Sequence, residues 1–542
     1  MKKILLFILF VLIAIVKAEV ETDSLHCVLE LTPFENGEYY GRSGIYQLEE
    51  GGDLNGDGYP DIVIGGRQED SYYGEINIYM GGANLNSIPD YTINENEVLG
   101  SEGSWFGEKI DYNGDLNGDG YDDLVVSATK YWDSQGSQGG AVLIFFGGEE
   151  FDTIPDRILY GMVYADDPWN LEFGDWLDIS GDVNGDGIND LLISSGGPSF
   201  FFNGQINMFL GGEDFDTESD WMKKGDNLDF FGQKVTTGDV NGDGYDEIII
   251  LKDKKDNPDY GKIIEIYKGG ETFSNSPVWS YSFDDVKYDE LYLHLKSNFD
   301  FNNDGLDDLL LSYVEDNYTN SKLILFNGNA SSFIEDSFSS QNVDYRIESV
   351  NVSNYNDDNY SDIIIYYCGG YPGNTISDHI LISGNSSNQL TENSNIIKNS
   401  EYNISGIIEF LGDVNGDGFK DYLIFDTKND NNIFSNRFGV YSKRNFSSIN
   451  ENNIPKTLSL SQNYPNPFNP TTTISFNLPM ESNVKLGIYN NKGEMVKELL
   501  NGSMKSGNHS IQFNGSSLSS GVYYYKLTAG KENHVKKMML IK

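Results

Sequence analysis

A nine-residue pattern, Asp-x-Asn-x-Asp-Gly-x-x-Asp, recurs along this 542-residue chain and limits what it can fold into. It first reads Asp53-Leu54-Asn55-Gly56-Asp57-Gly58-Tyr59-Pro60-Asp61 and returns at 115–123, 182–190, 239–247, 300–308 and 413–421. A degenerate copy lies at 354–362. The seven copies start 54 to 67 residues apart, a period that fits one supersecondary unit per repeat. Short apolar runs follow the copies, such as Ile62-Val63-Ile64 and Leu191-Leu192-Ile193. Further on comes a strand-like segment ending in Gly-Gly, as in Gly74-Glu75-Ile76-Asn77-Ile78-Tyr79-Met80-Gly81-Gly82. Phe-Gly pairs precede three copies, at Phe106-Gly107, Phe173-Gly174 and Phe231-Gly232.

Runs that are short, β-rich and bounded by Gly, Asn and Asp read as strands. No stretch of the repeat region sustains a helical period. A four-strand unit cannot cover both of its faces alone, whereas radial stacking covers them and protects the edges. The chain is therefore expected to be all-β: a seven-bladed β-propeller over 19–444, then a linker at 445–457 and a small immunoglobulin-like β-sandwich at 458–542. The last copy supplies only three candidate strands, about 404–411, 421–426 and 437–443. The segment His26-Cys27-Val28-Leu29-Glu30-Leu31 has no unit of its own. A strand at about 26–31 is expected to complete the seventh blade and remove an exposed edge.

The nonapeptide carries side-chain oxygens at positions 1, 3, 5 and 9. Calcium takes roughly six to eight hard oxygen ligands, and alternate residues of a tight loop can face one ion. Glycine at position 6 permits the turn, and position 7 offers its backbone carbonyl, so its side chain is free to vary. The first expected ligand set is Asp53, Asn55, Asp57 and Asp61 with the carbonyl of Tyr59. The second is Asp115, Asn117, Asp119 and Asp123 with Tyr121, and the third Asp182, Asn184, Asp186 and Asp190 with Ile188. Asp239, Asn241, Asp243 and Glu247 with Tyr245 form the fourth, and Asp300, Asn302, Asp304 and Asp308 with Leu306 the fifth. The last copy offers Asp413, Asn415, Asp417 and Asp421 with Phe419. In the degenerate copy Asn354 replaces the first Asp and Asn359 the glycine, so Asn356, Asp358, Tyr360 and Asp362 are expected to make a weak or empty site. Asn-Gly-Asp-Gly also reads as a plain turn, but a turn does not require acids at positions 1, 5 and 9. The expected cofactor is calcium at about six sites; magnesium demands a tighter octahedron.

Acidic residues outnumber basic ones 84 to 36, a net charge of −48. Such a chain repels phosphate backbones and anionic lipid, which excludes nucleic acid as a partner. Met1-Lys2-Lys3, an apolar run over 4–16 and Lys17-Ala18 read as a signal peptide over 1–18. That run is shorter than the roughly 20 residues a bilayer needs. The mature protein is expected to be secreted or held on the outer cell surface, and to be monomeric. Cys27 and Cys368 are too few and too distant to form a disulfide framework, and their redox state stays open.

Together, the Phe-Gly pairs, the Gly-bounded strands and the acidic loops resemble the FG-GAP repeats of integrin α-subunit propellers and of many secreted bacterial proteins. The resemblance spans roughly 25–445 and implies a seven-bladed propeller with calcium in loops on one face. Blades five to seven depart most from the pattern. The tail opens with Gln462-Asn463-Tyr464-Pro465-Asn466-Pro467-Phe468-Asn469-Pro470, continues through Leu518-Ser519-Ser520-Gly521-Val522-Tyr523-Tyr524-Tyr525 and ends in Lys536-Lys537-Met538-Met539-Leu540-Ile541-Lys542. It resembles the type A sorting domain of the bacterial type IX secretion system, which implies that system's export machinery as a partner. Composition agrees, because this tail gathers basic residues in an otherwise acidic chain. Short alternating segments at 473–477 and 484–489 suit a sandwich.

A propeller's fold does not set its ligand. The favoured reading is a binding or adhesion module for a surface glycan or protein. Trp105, Trp132, Trp169 and Trp176 could stack on sugars, although packing between blades is the simpler role for them. The alternative is a calcium-dependent polysaccharide lyase or hydrolase using His294 or His379 with a nearby Tyr. No Gly-x-Ser-x-Gly elbow or His-Glu-x-x-His motif supports it. A structural surface-layer component is a third reading.

Overall fold

The computed structural model describes residues 26–31, 51–67, 74–100, 103–132, 139–161, 172–195, 203–226, 229–254, 261–284, 286, 293–315, 320–343, 345–355, 358–369, 376–387, 390, 406–430, 433–442, 459–460, 463, 466, 468–478, 482–490, 492, 494–504, 507–516, 518–529 and 532–542. The segments expected to be signal peptide (1–18) and linker (445–457), with Asn356 and Trp169, lie outside the described residues. Two compact units divide the chain, Met1–Arg444 and Asn445–Lys542.

Strands of the first unit form seven antiparallel sheets among the described residues. Each acidic loop from the second to the seventh joins the first strand of its sheet to the next. The second sheet runs Phe106–Asp111, Leu124–Ala128, Ala141–Phe145 and Arg157–Tyr160. The third runs Phe173–Asp178, Leu191–Ser195, Gln205–Phe209 and Trp221–Lys224. Middle strands such as Leu124–Ala128 and Ala141–Phe145 are buried at every position, because neighbouring sheets cover both of their faces. Outer strands keep the alternation of a half-exposed strand, as Trp279–Phe283 does. The one helix among the described residues, Glu95–Leu99, is a single turn ending at Gly100 with φ 60°. Buried Glu95 holds it in place, accepting the amide protons of Gly74 (2.8 Å) and Ser104 (2.7 Å).

Sheets follow one another in a closed ring. Leu54, Val63, Ile76, Leu124, Val126 and Phe145 form one core between the first and second sheets. Leu31, Ile62, Ile64, Leu411, Val414, Leu423 and Val440 form the core between the seventh and the first. Backbone bonds repeat the same step. The carbonyl after each loop's first residue accepts an amide from the following sheet: Leu54 from Gly148 (2.8 Å), Leu116 from Gly212 (2.8 Å), Val183 from Gly270 (2.8 Å) and Val414 from Gly82 (2.7 Å). Phe-Gly pairs explain themselves here. Phe106, Phe173 and Phe231 are buried, each contributing about 1.5–3 kcal/mol by burial. A Cβ on Gly74, Gly140 or Gly204 of the preceding sheet would fall 2.1–2.5 Å from the carbonyl oxygen of that Phe, so only glycine fits.

In the seventh sheet Gly406–Gly412, Asp421–Asp430 and Ile433–Ser442 are joined by His26–Leu31, which pairs with the last of them from His26↔Ser442 to Leu31↔Phe438. Both ends of the ring thus meet in one sheet. Cys27 lies in this sheet and Cys368 in Asp362–Gly369 of the sixth.

The second unit is a β-sandwich. One sheet holds Ser459–Leu460, Thr471–Leu478 and Gly507–Asn514; the other holds Met495–Met504, Ser482–Tyr489, Gly521–Ala529 and Glu532–Leu540. Ile474, Phe476, Leu486, Ile488, Tyr525, Leu527, Met538 and Leu540 fill the space between them. The tail's opening motif closes this core. Phe468 is buried within it, its amide bonds to the carbonyl of Met539 (2.9 Å), and its carbonyl accepts from Ile541 (3.0 Å). Asn463 donates its amide proton to the Tyr525 hydroxyl (2.8 Å), and the Asn466 side chain accepts from Met539 N (2.9 Å).

Candidate metal-binding loops

All well-formed loops share one hydrogen-bond plan. The position-1 carboxylate turns back into its own loop and collects backbone N–H groups. Asp115 accepts from Gly118 (2.7 Å), Asp119 (3.1 Å) and Gly120 (2.7 Å), and Asp182 from Gly185 (2.7 Å), Asp186 (3.0 Å) and Gly187 (2.8 Å). Asp53, Asp239, Asp300 and Asp413 each accept likewise from positions 5 and 6. The position-3 amide oxygen converges on the same position-5 N–H in four loops: Asn55 (2.9 Å), Asn117 (2.8 Å), Asn184 (2.8 Å) and Asn415 (3.0 Å). Position 5 accepts the amide of position 7, as Asp57 does from Tyr59 and Asp417 from Phe419. Glycines at positions 4 and 6 make this path possible. Gly118 and Gly120, for instance, have φ 75° and 90°, a left-handed backbone that side chains resist.

Position 9 lies beneath the loop. Asp61, Asp123, Asp190, Asp308 and Asp421 are fully or almost fully buried, and so is Glu247. Asp123 accepts from Leu116 N (2.7 Å) and Gly147 N (2.8 Å), tying the start of its loop to the Gly-Gly that ends the sheet's third strand. Asp61, Asp190 and Asp308 do the same. Burial pushes the carboxyls of Asp61, Asp123, Asp190, Asp308 and Asp421 up to about 7, and loop acids at positions 1 and 5 add to the rise. Glu247 rises to about 9 for the same reasons. Its extra methylene changes the local bonding: Oε1 accepts from Asn241 Nδ2 (2.5 Å), while Val240 N turns to the Gly238 carbonyl (2.9 Å). Lys268 pairs with Asp243 (2.8 Å) in this fourth loop.

Buried acids repelled by neighbouring acids are the electrostatic setting that a divalent cation relieves. Among the buried atoms at expected ligand positions, Glu247 Oε2 and Asn302 Oδ1 have no hydrogen-bond partner. Every carboxylate used by a backbone N–H also keeps further lone pairs. The donor set thus fits a hard cation. Among the described residues, however, no group of three acidic, His or Cys side chains stands already gathered as a cage. An ion would be held by small movements of positions 1, 3, 5 and 9 and would supply charge neutralisation.

The sixth loop differs. Asn354 donates its Nδ2 to the Asp358 carbonyl instead of accepting loop amides. Asp358 still accepts from Tyr360 N (2.8 Å), and buried Asp362 from Gly384 N (2.9 Å).

Sequence reasoning missed position 8 and gave the side chain at position 7 no role. At position 8, Asp122 accepts from Asp53 N of the preceding loop (2.7 Å), Asn189 from Asp115 N (3.0 Å), Asp246 from Asp182 N (2.7 Å) and Asp307 from Asp239 N (2.9 Å). Lys420 reaches the Asn354 carbonyl. Pro60 has no N–H to offer, and it packs beside Gly412 at the point where the seventh loop meets the first. Position-7 side chains lie across the preceding loop. A Cβ on Gly56 would fall 2.4 Å from Tyr121, one on Gly185 2.6 Å from Tyr245, and one on Gly416 2.7 Å from Tyr59. The loops therefore form one linked acidic rim, and the recurring polar residue at position 8 was the signal available in the sequence.

Residues raised for other roles are engaged elsewhere. Lys234 and Lys109 hold their ammonium groups 3.7 and 5.2 Å from the Trp176 ring, and Lys130 holds its own 4.9 Å from Trp105. Trp132 is 43% exposed. His379 is fully buried and stacks on Tyr366 at 5.0 Å. His294 has its Nε2 enclosed without a partner, and burial, with Lys234 and Lys296 nearby, lowers its imidazole to about 3.

Comparison with known proteins agrees with the architecture. Residues 51–79, 113–145 and 231–250 match the FG-GAP repeat family, and residues 462–542 match the secretion system C-terminal sorting domain. The chain therefore carries FG-GAP repeats and ends in a type IX sorting domain. Proteins bearing that tail are secreted or attached to the cell surface, and so is this one. No curated protein matches it. Among solved structures it is similar to PorZ, described as an essential bacterial surface component of the type IX secretion system of Porphyromonas gingivalis. The identity is 11% and the TM-score 0.29, over 88% of this chain and 65% of that chain, so less than two thirds of that protein is spanned.

Proposed function

We propose that the propeller is a non-catalytic binding module whose loops take up calcium and whose ring presents a site for an extracellular glycan or protein. The tail hands the chain to the type IX machinery. The observation that supports it most is the linked rim of loops. Its buried position-9 carboxyls are pushed to about 7 by burial and by neighbouring loop acids, and a divalent ion is the natural counter-charge. With ions in place, the rim becomes a rigid frame at one end of the first strands. Asp53, Asp115, Asp182, Asp239, Asp300 and Asp413, with their position-3, -5 and -9 companions, would hold the ions.

A glycan array and a panel of surface proteins, probed with the mature protein in calcium and in chelator, test this reading. Calcium-dependent binding without product release supports it. Unsaturated products released from acidic polysaccharides would replace it with the lyase reading.

A further inference from the structure

A cavity of about 270 Å³ opens among the first strands of the third to sixth sheets. Ser180, Asn298 and Asn354, which line it, flank or begin the acidic loops, so the cavity reaches the loop end of the ring. Its volume lies just under the roughly 300–1,000 Å³ of pockets for drug-sized ligands, which suits a single small ring.

The chemistry of its wall is mixed. Asn351 is 8% exposed and Ser353 4% exposed, and both line the cavity. Asn351 donates its Nδ2 to the carboxylate of Glu409, which can only accept, so its amide oxygen is the atom left over. That Oδ1 has no partner, and neither have Ser353 Oγ and Asn354 Oδ1. Asn354 is oriented in the same way, its Nδ2 being given to the Asp358 carbonyl. One stretch of the lining chain thus holds two buried acceptors and a hydroxyl with unmet hydrogen bonds, each costing about 1–3 kcal/mol if it stays dry and unpaired.

Lys296 also lines the cavity and can only donate. Asp178, the one carboxylate among the lining residues, is already committed: it accepts from Thr237 N (3.0 Å), Ser180 N (2.9 Å) and the Ser180 hydroxyl (2.8 Å). Trp176 is not a stacking platform, because Lys234 sits 3.7 Å from its ring centre. The ligand must therefore donate to amide oxygens and accept from a lysine and a hydroxyl at once. An ionised carboxylate or a fully ionised phosphate cannot donate, and an aliphatic group can do neither. Adjacent sugar hydroxyls do both.

We propose that this cavity binds one hydroxyl-rich, sugar-ring-sized group, the terminal residue of a glycan, through Asn351, Ser353, Asn354 and Lys296. This rests on the binding-module reading and gives it a site. The loops that begin at Asp300 and Asn354 border the cavity, so calcium is expected to tighten binding.

The test is titration calorimetry of the calcium-loaded mature protein with a panel of methyl glycosides: neutral hexosides, N-acetylhexosaminides and hexuronates. The same protein is run on a glycan array. Wild type is expected to bind at least one glycoside saturably. Ser353→Ala, which removes a hydroxyl with no protein partner, is expected to weaken it about 3- to 10-fold with an unchanged melting temperature. Lys296→Met serves as a second variant on the facing wall, with a loss of similar size. Array binding that persists unchanged in both variants places the ligand elsewhere: it overturns the cavity assignment and leaves the module reading standing. Wild type that binds no glycoside and no array glycan overturns the cavity assignment, and the protein panel then decides the module reading.

Discussion

Loops 115–123 and 354–362 occupy equivalent places in the second and sixth sheets of one ring, yet they are held differently. In the second loop Asp115 gathers three backbone amides, and Asn117 converges on one of them. In the sixth, Asn354, which lines the cavity, donates to a carbonyl instead, and its side-chain oxygen is buried without a partner. Beneath both loops the position-9 Asp is buried and bonded to the glycine that follows the third strand, Asp123 to Gly147 and Asp362 to Gly384. The comparison separates two roles that the nonapeptide merges. Position 9 fastens the loop to its sheet, while positions 1, 3 and 5 shape the space in which an ion can sit. A repeat can lose the second role and keep the first.

The largest expected effect is metal removal. Each filled loop adds about 2.7 kcal/mol when free calcium is 100-fold above its Kd. Chelation should therefore lower the calorimetric melting temperature steeply, and calcium should restore it. No change on chelation would break the contrast, since both kinds of loop would then be mere turns. Next comes Asp115→Ala, expected to cost about 2 kcal/mol and one bound calcium per chain, against about 0.5 kcal/mol and no calcium for Asn354→Ala. Equilibrium dialysis with denaturant melts reads both. The double variant Asn354→Asp with Asn359→Gly should add about one calcium.

Acid must be kept apart from these effects. The His294 imidazole is lowered to about 3 by burial and two lysines, below its unfolded value of 6.5. The unfolded chain thus binds more protons between those values, and this contribution to stability falls as pH drops from 6.5 toward 3. In calcium-loaded protein, His294→Gln should narrow the melting difference between pH 7 and pH 4.5. An unchanged difference would remove His294 from the account. The smallest effect expected is at the rim. Asp122→Ala, which loses the bond to Asp53 N, should cost about 1 kcal/mol in denaturant melts, while Pro60→Ala should be near neutral, having no such bond to lose.

The fold was legible because its signal is repeated. Apolar runs such as Leu124-Val125-Val126 became the middle strands, and Phe106, Phe173 and Phe231 became the plugs between sheets. Within the loops, the inward turn of positions 1 and 3 followed from spacing, because their partners lie two to five residues away. What spacing could not show depends on distant chain. Asp61 meets Gly81 twenty residues on, and Asp122 meets Asp53 sixty-nine residues back. Tyr59 and Tyr121 read as carbonyl donors with free side chains, but their rings cover glycines of another loop, which only the closed ring brings near.

Pairing of His26–Leu31 with Ile433–Ser442 has a consequence for how the protein is made. The earliest-synthesised strand must wait for one about four hundred residues later, so the circle can shut only when almost the whole unit has emerged. Until then the chain is an open horseshoe with two naked flanks, an awkward object to leave unattended in a crowded envelope. Clipping the first thirty or so residues from the finished protein would bare the edge of Ile433–Ser442 and leave the seventh sheet with three strands.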